Sequence, residues 1–559
     1  MRLRTNLLES KHQLRHVEEA DANTSRVGKS PPWAVIAFVG GFLLAYAEVL
    51  VRMVAGRDIV DAMWPHAVRS LEWTLVLRSS MELTLTLMLL ATGAAYGWRR
   101  WIQERDDARI QAVPAFITGG LSGLISLHLL LDWAYFRGAF LLLPTLMGWS
   151  LLSVLIAWGG PPAWRTVNQT SVSVPRVGHI FAVFFAAWLV MPGVPALIGM
   201  APSPPDTPSI GYGSTPGPYE TAQYSSPYPM PQDVTAVQGN LEDDVTFSVH
   251  VTLPLLPEDS PVAHLPLAIL LHGFGYPDVD AYQSWITHLA AKGMAVAFLQ
   301  YPSDLRPEGY EAFVEQEMNG TSDFLQHTYR NMAIRAAIDH MEEMLLFSPR
   351  NPEIDAHLGD VTVDPSTLWT GGHSLGAAYT FLVLDDVLER GWGQHAMVVA
   401  LEAPANRPMQ PALQPVLSQL PNETLVQIGV SQDDMSVGVC PGAFHQRLFS
   451  ELPKERNQLI EVQTDQYGFP RLIASHYLQT DPARDRLSDW SFYRRIDAQA
   501  DYLVAHARND TFTADWAFQY LTDETMLTNM GAWSDNTPVL PLKLYHDALI
   551  TDPLFSSCV

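Results

Sequence analysis

The hydrophobic and polar positions of this chain follow different patterns before and after residue 200. Before it, apolar residues form five long windows, each near the ~20 residues that a helix needs to cross a hydrocarbon core. The windows are Trp33–Val54, Met81–Trp98, Val113–Leu131, Phe140–Trp158 and His179–Met200. We therefore predict an α-helical membrane region of about five spans over residues 33–200, preceded by a polar, basic tail over residues 1–32.

The distribution of Lys and Arg predicts the orientation of these spans. The N-terminal flank and the loops at 99–111 and 161–178 together carry 12 Lys and Arg residues, whereas the alternate loops carry only 4. Since loops rich in Lys and Arg stay on the cytoplasmic side, the N-terminus is predicted to be cytoplasmic. Five spans then place everything after Met200 on the extracytoplasmic side, and four or six would reverse that result.

A change of composition separates the apolar windows from the rest of the chain. From Ala201 to Gln232 the sequence is dominated by Pro, Ser, Gly and Tyr, and it has no helix or strand period. So many prolines remove the N–H groups that a hydrogen-bonded ladder needs. We predict a semi-extended linker over residues 201–239.

From residue 240 onward, short apolar runs alternate with helical patterns. The runs are Thr246–Leu253, Leu265–Leu271, Met294–Gln300, Thr367–Thr370, Ala396–Leu401, Thr424–Val430 and Gln458–Val462. The helical patterns are Ala281–Lys292, Asp323–Leu346 and Ala377–Leu388. Buried strands separated by helices predict an α/β domain over residues 240–480, with a mostly parallel central sheet covered on both faces. Residues 481–559 are predicted to form a helical extension packed on it.

One motif in this region predicts a catalytic nucleophile. Gly372, His373, Ser374, Leu375 and Gly376 form a Gly-x-Ser-x-Gly sequence between an apolar strand and an apolar helix. That order is typical of the nucleophile elbow, in which a sharp turn exposes the serine hydroxyl above the sheet. The two glycines lack the Cβ atoms that would clash where strand and helix nearly touch. Within the motif, the histidine is interpreted as a packing or orienting residue rather than as the catalytic base.

A serine that attacks a carbonyl also needs N–H donors for the developing oxyanion. The N–H of Leu375, directly after the nucleophile, is one candidate donor. The second is expected from the loop after an earlier strand. The residues of that loop are His272, Gly273, Phe274 and Gly275. We predict that the Phe274 N–H is the second donor; the alternative is a simple Gly-rich turn between strand and helix.

The orienting acid is expected after a later strand of the sheet. The run Thr424–Val430 leads directly into Asp433 and Asp434. Asp434 is preferred because it has an apolar residue, Val437, three positions further on, and Asp433 is the alternative. Glu402, after the preceding strand, is a second alternative position for the acid.

The base is expected to be a histidine beyond the last strand, which completes the chain order Ser, Asp, His. His476 has that order and that loop position. His506 and His546 are alternatives within the C-terminal extension.

These motifs resemble those of a known superfamily. Residues from about 240 to 480 look like an α/β-hydrolase, and the sequences HGFG, AAKGMAVAFLQYP and GHSLG resemble dienelactone-hydrolase-like, chlorophyllase-like and platelet-activating-factor-acetylhydrolase-like esterases. The resemblance implies a Ser374, Asp434, His476 triad and an oxyanion hole from Phe274 and Leu375. A reaction carried by these groups needs no metal or cofactor. It does not extend to the apolar windows or to about the last 80 residues. Ser431 stands where glycine is common before the aspartate, which leaves Asp433 and Asp434 both open.

Charge and cysteine content limit the classes of partner. The net charge is −25, and residues 201–559 carry 17 Lys and Arg against 46 Asp and Glu, whereas residues 1–200 carry 17 against 13. So acidic a region argues against a nucleic-acid partner. Cys440 and Cys558 are the two cysteines of the chain. They are too few for a zinc site, and they predict either one disulfide or two free thiols.

Together these observations predict a membrane-tethered serine hydrolase that cleaves carboxylic esters of small molecules or lipids outside the cytoplasmic membrane. A first alternative keeps the fold but cleaves peptides or amides. A second alternative is a membrane transporter or sensor in which the hydrolase-like domain only binds its ligand.

Overall fold

The computed structural model of the chain describes two compact units, Met1–Ala201 and Pro202–Val559. The described residues are 32–79, 81–103, 108–135, 142–158, 174–191, 199–208, 211–213, 216–237, 246–257, 260–305, 325–406, 417–547, 552–556 and 558. The predicted tail, up to residue 31, lies outside them.

The first unit is helical throughout most of its described residues. Its helices are α1 (Pro32–Ala45), α2 (Ala47–Val54), α3 (Ile59–Ser79), α4 (Met81–Gln103), α5 (Ala108–Tyr135), α6 (Leu142–Trp158) and α7 (Val174–Val190). Close packing in this unit uses small residues. A Cβ added at Gly41 or at Gly119 would overlap the backbone of the facing helix, because α1 and α5 cross at these glycines.

The prediction of about five membrane spans needs correction. Within the described part of the chain, one helix, Ala112–Ala134, is long and apolar enough to cross a membrane on its own. The first window becomes α1 and α2, which are bent by 63° at Tyr46 and count as a second span only when taken together. Charged residues at both ends of α4 and the limited length of Leu142–Trp158 and Ile180–Val190 explain why the other windows fall short.

The second unit is built on one nine-stranded sheet. Its strands are β1 (Thr221–Pro227), β2 (Ser248–Pro254), β3 (His264–Leu271), β4 (Ala295–Leu299), β5 (Thr362–His373), β6 (Ala396–Glu402), β7 (Thr424–Ser431), β8 (Asn457–Val462) and β9 (Lys543–Tyr545). The spatial order is β1-β2-β4-β3-β5-β6-β7-β8-β9. Strands β3 to β8 pair in parallel, and β1, β2 and β9 are antiparallel to their neighbours. This mixed sheet fits an α/β-hydrolase fold.

Helices cover both faces of the sheet. They are α8 (Gln232–Val237), α9 (Gln283–Ala291), α10 (Leu325–Leu345), α11 (Pro352–Leu358), α12 (Leu375–Glu389), α13 (Cys440–Leu448), a short turn (Arg486–Ser488), α14 (Arg494–Ala507), α15 (Thr511–Thr522) and α16 (Glu524–Thr528). Alternate residues of β3 enter different cores: Leu267 and Ile269 pack with α10 and α12, whereas Ala268 and Leu270 pack with α9 and α14. A strand that is buried on both faces reads as a continuous apolar run, as the sequence predicted.

The predicted linker at 201–239 is wrong for much of its length. Thr221–Pro227 forms the edge strand β1, paired with β2 along its full length, and Tyr212 is buried against Tyr520. An edge strand pairs with another strand on one side only, so the N–H groups on its other side need no partner strand. For this reason β1 tolerates a proline at its end. These residues therefore belong to the second unit.

The predicted C-terminal extension packs on the sheet and completes it. Helices α14 and α15 contribute Ile496, Tyr502 and Leu521 to one core, and β9 extends the sheet beyond β8. Cys440, at the start of α13, forms a disulfide with Cys558. Of the two states left open by the sequence, the structure therefore has the bonded one.

Candidate active site

The turn between β5 and α12 holds Ser374 in a rare backbone conformation. Its φ is 56° and its ψ is −116°, in a region that costs a non-glycine residue of order 1–3 kcal/mol. Two backbone hydrogen bonds keep it there. The Ser374 N–H donates to the Glu402 carbonyl at 2.9 Å, and the Ser374 carbonyl accepts from the Ala405 N–H at 3.0 Å. The strand beside the elbow thus fixes the direction of the serine side chain.

The two motif glycines lie where three backbones meet. A Cβ at Gly376 would lie 2.5 Å from the carbonyl oxygens of both Leu271 and His272, and one at Gly372 would lie 2.6 Å from the Gly376 carbonyl carbon. These distances are too short for any side chain. The end of β3, the end of β5 and the first turn of α12 are therefore in direct contact.

In the loop after β3, the backbone N–H of Phe274 lies between two N–H groups that are hydrogen-bonded. The glycines of this loop are both bound: the Gly273 N–H donates to Tyr282 Oη at 3.0 Å, and the Gly275 N–H donates to Ser303 Oγ at 2.9 Å. Among the residues that the structure describes, neither the Phe274 N–H nor the Leu375 N–H donates a hydrogen bond. Two such donors are what an oxyanion requires.

This loop lies directly against the elbow. A Cβ at Gly273 would lie 3.3 Å from Ser374 Cβ and 3.1 Å from His373 Nδ1. The side chain of Phe274 is half exposed, so the free N–H belongs to a residue at the surface of the site.

His476 and Asp434 form a buried pair. His476 Nδ1 and Asp434 Oδ2 are 2.7 Å apart. The other carboxylate oxygen, Oδ1, accepts from the N–H groups of Ser436 at 2.8 Å and Val437 at 2.9 Å. Burial by itself would raise the pKa of Asp434, but the hydrogen bond and charge of His476 together with these N–H groups outweigh it, so the pKa lies below its ordinary value.

The neighbouring Asp433 points to a different partner. Thr464 Oγ1 donates to Asp433 Oδ2 at 2.6 Å, and the Asp433 N–H donates to the Ala474 carbonyl at 2.9 Å. Of the two aspartates that the sequence left open, only Asp434 contacts His476 among the described residues. Asp433 instead ties the end of β7 to the segment that leads to His476.

The His476 ring lies beside the elbow. Its centroid is 4.8 Å from that of His373, the residue before Ser374, and the His476 carbonyl is 2.8 Å from His373 Nε2. The Ser374 hydroxyl makes no capping hydrogen bond to the first turn of α12. Hydrogen bonds between a nucleophile and its base often tighten only when a substrate binds.

The alternative acid position has another partner. Glu402 binds Arg495 through both carboxylate oxygens, at 2.9 and 3.0 Å, and both side chains are fully buried. Gln479 also reaches this carboxylate, at 3.4 Å. The side chain of Glu402 is therefore occupied within the core.

The two alternative bases lie elsewhere in the unit. His506 packs against Tyr502 on α14, and His546 Nδ1 lies 2.8 Å from the Lys454 carbonyl. His476 is thus the one predicted base beside the elbow among the described residues.

Two further histidines of the predicted site are buried and uncharged. His272 Nδ1 lies 2.8 Å from the Gly273 carbonyl, and its Nε2 accepts from the Tyr301 N–H at 3.1 Å. Burial lowers the pKa of His272 to about 4. Burial, reinforced by His476, lowers the pKa of His373 to about 3. Neither imidazole carries a proton charge near neutral pH.

Sequence reasoning missed three residues that support the site. Tyr282 and Ser303 accept the N–H groups on either side of Phe274, and Arg495 binds Glu402. No motif contains them, because they come from loops and a helix that reach the site only in the folded chain.

Comparisons with known proteins give distant structural likenesses. No protein-family model matches the chain, and no curated protein matches it. The chain is similar to a structure from a study of two fungal esterases from Rhizomucor miehei, with 15% identity and a TM-score of 0.30 over 53% of this chain and 86% of that chain. It is also similar to a thermostable esterase from Pseudomonas putida ECU1011, with 13% identity and a TM-score of 0.31 over 52% and 85%. At these TM-scores, the functional argument rests on the geometry of the site.

The buried neutral histidines predict that stability falls with decreasing pH. Between pH 6.5 and about 4 the unfolded chain protonates His272 while the folded chain does not. Since the unfolded state then binds more protons, the free energy of unfolding rises with pH, by about 1.4 kcal/mol per pH unit for this residue. In His272→Asn this slope should shrink by that amount. The free energy of unfolding is measured by urea titration at about pH 7, 6 and 5, with hydrogen exchange of the β3 amides as the readout. An unchanged slope in the variant would contradict the neutral buried imidazole.

Proposed function

We propose that the second unit is a serine hydrolase that cleaves carboxylic esters. The observation that carries this proposal is the buried His476–Asp434 pair beside an elbow whose serine is flanked by two N–H donors that have no acceptor among the described residues. A base, an orienting carboxylate, a nucleophile and an oxyanion site are the four parts that acyl transfer needs.

In the first half of the reaction, the Ser374 oxygen attacks the ester carbonyl carbon. The serine proton passes to His476 Nε2, while Asp434 accepts the Nδ1–H and stabilises the imidazolium. The tetrahedral intermediate then collapses, the bond to the alcohol oxygen breaks, and His476 returns the proton to the departing alcohol. An acyl-serine remains.

In the second half, water takes the place of the alcohol. His476 removes a proton from the water, the hydroxide attacks the acyl carbon, and the acid leaves as Ser374 regains its proton. In both halves the negative oxygen is expected to lie between the N–H groups of Phe274 and Leu375. Tyr282 and Ser303 bind the N–H groups on either side, whereas the Phe274 N–H has no acceptor within the part of the chain that the structure describes and can therefore bind the substrate oxygen.

The nucleophile is tested by covalent labelling. A fluorophosphonate probe should label the wild-type chain but not Ser374→Ala, and hydrolysis of p-nitrophenyl esters should fall by on the order of 10³-fold or more in that variant. Ser491→Ala is the matched control, since Ser491 is buried and its hydroxyl donates to the carbonyl of Leu487, four residues earlier. A folded wild-type chain that takes no label would end the proposal. A panel of aminoacyl amides run beside the esters distinguishes an esterase from an amidase.

The acid is tested by two neighbouring substitutions. Asp434→Asn should lower kcat by about 10³- to 10⁴-fold, because an amide cannot accept the Nδ1–H and the two backbone N–H groups as a carboxylate does. Asp433→Asn keeps an oxygen for Thr464 and should change kcat by less than about tenfold. Steady-state kinetics on one ester substrate measures both. Equal losses in the two variants would contradict the assignment of Asp434.

We also propose that the first unit anchors the chain in a membrane and that the second unit lies on the extracytoplasmic side. The apolar helix Ala112–Ala134 and the disulfide between Cys440 and Cys558 support this proposal. Disulfides persist in oxidising compartments and are rare in the cytosol.

Thiol chemistry in intact cells tests the location. After treatment with a membrane-impermeant reductant, an impermeant maleimide should label the full chain, which should also stay in the membrane pellet after carbonate extraction. Without the reductant it should take no label, because the chain has no cysteine beyond the bonded pair. The Cys440→Ser, Cys558→Ser double variant is the control for background labelling. Labelling that appears only after the cells are permeabilised would place the second unit inside.

A further inference from the structure

One chain of hydrogen bonds joins the oxyanion loop to the loop of His476. The Gly273 N–H donates to Tyr282 Oη at 3.0 Å, Tyr282 Oη lies 3.1 Å from His373 Nδ1, and His373 Nε2 lies 2.8 Å from the His476 carbonyl oxygen. Tyr282, His373 and His476 are all buried. The relay, meaning these three bonds, runs through the residue that immediately precedes Ser374.

The two ends of the relay fix the direction of every bond in it. A backbone N–H can only donate, so Tyr282 Oη accepts from Gly273; a carbonyl can only accept, so His373 Nε2 carries a hydrogen toward His476. In a neutral imidazole Nδ1 then accepts, and the Tyr282 hydroxyl donates to it. Burial lowers the pKa of His373 to about 3 and raises the pKa of Tyr282, which keeps both side chains in these forms.

The relay holds two loops in place, and the proposed chemistry depends on where the backbone of each loop lies. Gly273 immediately precedes Phe274, whose N–H is open, and the other side of the loop is held by Ser303 Oγ. At its far end the relay holds the backbone of His476 itself. A shift of about 1 Å in either group is enough to cost on the order of 10²-fold in rate.

We propose that Tyr282 and His373 are positioning residues that set the Phe274 N–H and the His476 imidazole in a single geometry around Ser374. Neither residue touches the substrate. The inference rests on the proposed hydrolase activity and adds to it the coupling between the oxyanion loop and the base.

A contrasting explanation is that both side chains only fill the core. Tyr282 does pack on Trp285 and Phe298, so its ring contributes to folding. Tyr282→Phe keeps that ring and removes only the hydroxyl, which leaves the Gly273 N–H without its acceptor and His373 Nδ1 without its donor. If packing is the whole role, this variant should change kcat and thermal stability no more than any other buried Tyr→Phe substitution does.

The matched control is Tyr502→Phe. Tyr502 is equally buried, and its hydroxyl donates to the Glu423 carbonyl at 3.1 Å, far along the chain from the elbow. The Tyr502 hydroxyl also accepts from Arg456 at 3.2 Å, so each substitution removes one buried hydroxyl that both donates and accepts a hydrogen bond, and their effects on thermal stability should be comparable.

The experiment measures kcat, KM and the rate of fluorophosphonate labelling in the full chain, with thermal unfolding as the fold check. Tyr282→Phe should lower kcat and the labelling rate by about 10- to 100-fold and leave KM within about twofold. Tyr502→Phe should leave all three unchanged. A rise in KM with kcat unchanged, or equal kcat in the two variants, would overturn the proposal.

Two variants of His373 complete the test. His373→Phe keeps the volume and cannot bond to the His476 carbonyl, whereas His373→Gln retains an N–H at that end and should recover part of kcat. Because the relay acts as one unit, Tyr282→Phe combined with His373→Phe should be no slower than His373→Phe alone. If the fold-loss of kcat in the double variant equals the product of the two single losses, the two substitutions cause independent packing defects. A wild-type chain that is neither labelled nor active would instead refute the proposed function and not this coupling in particular.

Discussion

The contact between three backbones at the elbow constrains the rest of the second unit. At Gly372 and Gly376 no Cβ fits, because β3, β5 and α12 touch there without intervening side chains. Ser374 must then take a positive φ, and its N–H is satisfied by the adjacent strand β6 rather than by its own helix. The backbone conformation of the serine is therefore set by the packing of the sheet and not by the turn alone. Any change that separates these strands would also release the serine.

A buried ion pair extends this constraint to the C-terminal region. Glu402 supplies the carbonyl that holds the Ser374 N–H, and its carboxylate binds Arg495 on α14 with two short hydrogen bonds. Removing one partner of such a pair leaves an uncompensated buried charge and costs about 3–5 kcal/mol. Gln479, three residues after His476, reaches the same carboxylate. Helix α14 is thus part of the framework under the site.

The parts of the structure that the sequence predicted well, in the fold and in the candidate site, are those whose signal is local. Apolar runs mark the strands from β2 to β8, because a strand buried on both faces needs no alternation. Strands β1 and β9 carry no such signal, since the edge strand Thr221–Pro227 is partly exposed along its whole length and β9 has only the three residues Lys543–Tyr545. The apolar windows predicted helices but not their lengths, because the bend at Tyr46 has no compositional signature.

Ser374 and its glycines carry a motif, whereas the choice between Asp433 and Asp434 depends on which carboxylate turns inward. That direction is set by the N–H groups of Ser436 and Val437, which bind one oxygen of Asp434 and leave the other for His476.

Three histidines lie within this one site, and the surroundings of one differ from those of the other two. His272 and His373 each have one ring nitrogen facing a carbonyl and the other facing an N–H or O–H group, which suits the neutral ring and offers nothing to a positive charge. Of the three rings, only that of His476 has a carboxylate beside its Nδ1. This neighbour is the reason for proposing His476, rather than His272 or His373, as the base. Burial keeps the other two rings neutral. A neutral His373 ring can accept from Tyr282 through Nδ1 and donate to the His476 carbonyl through Nε2 at the same time.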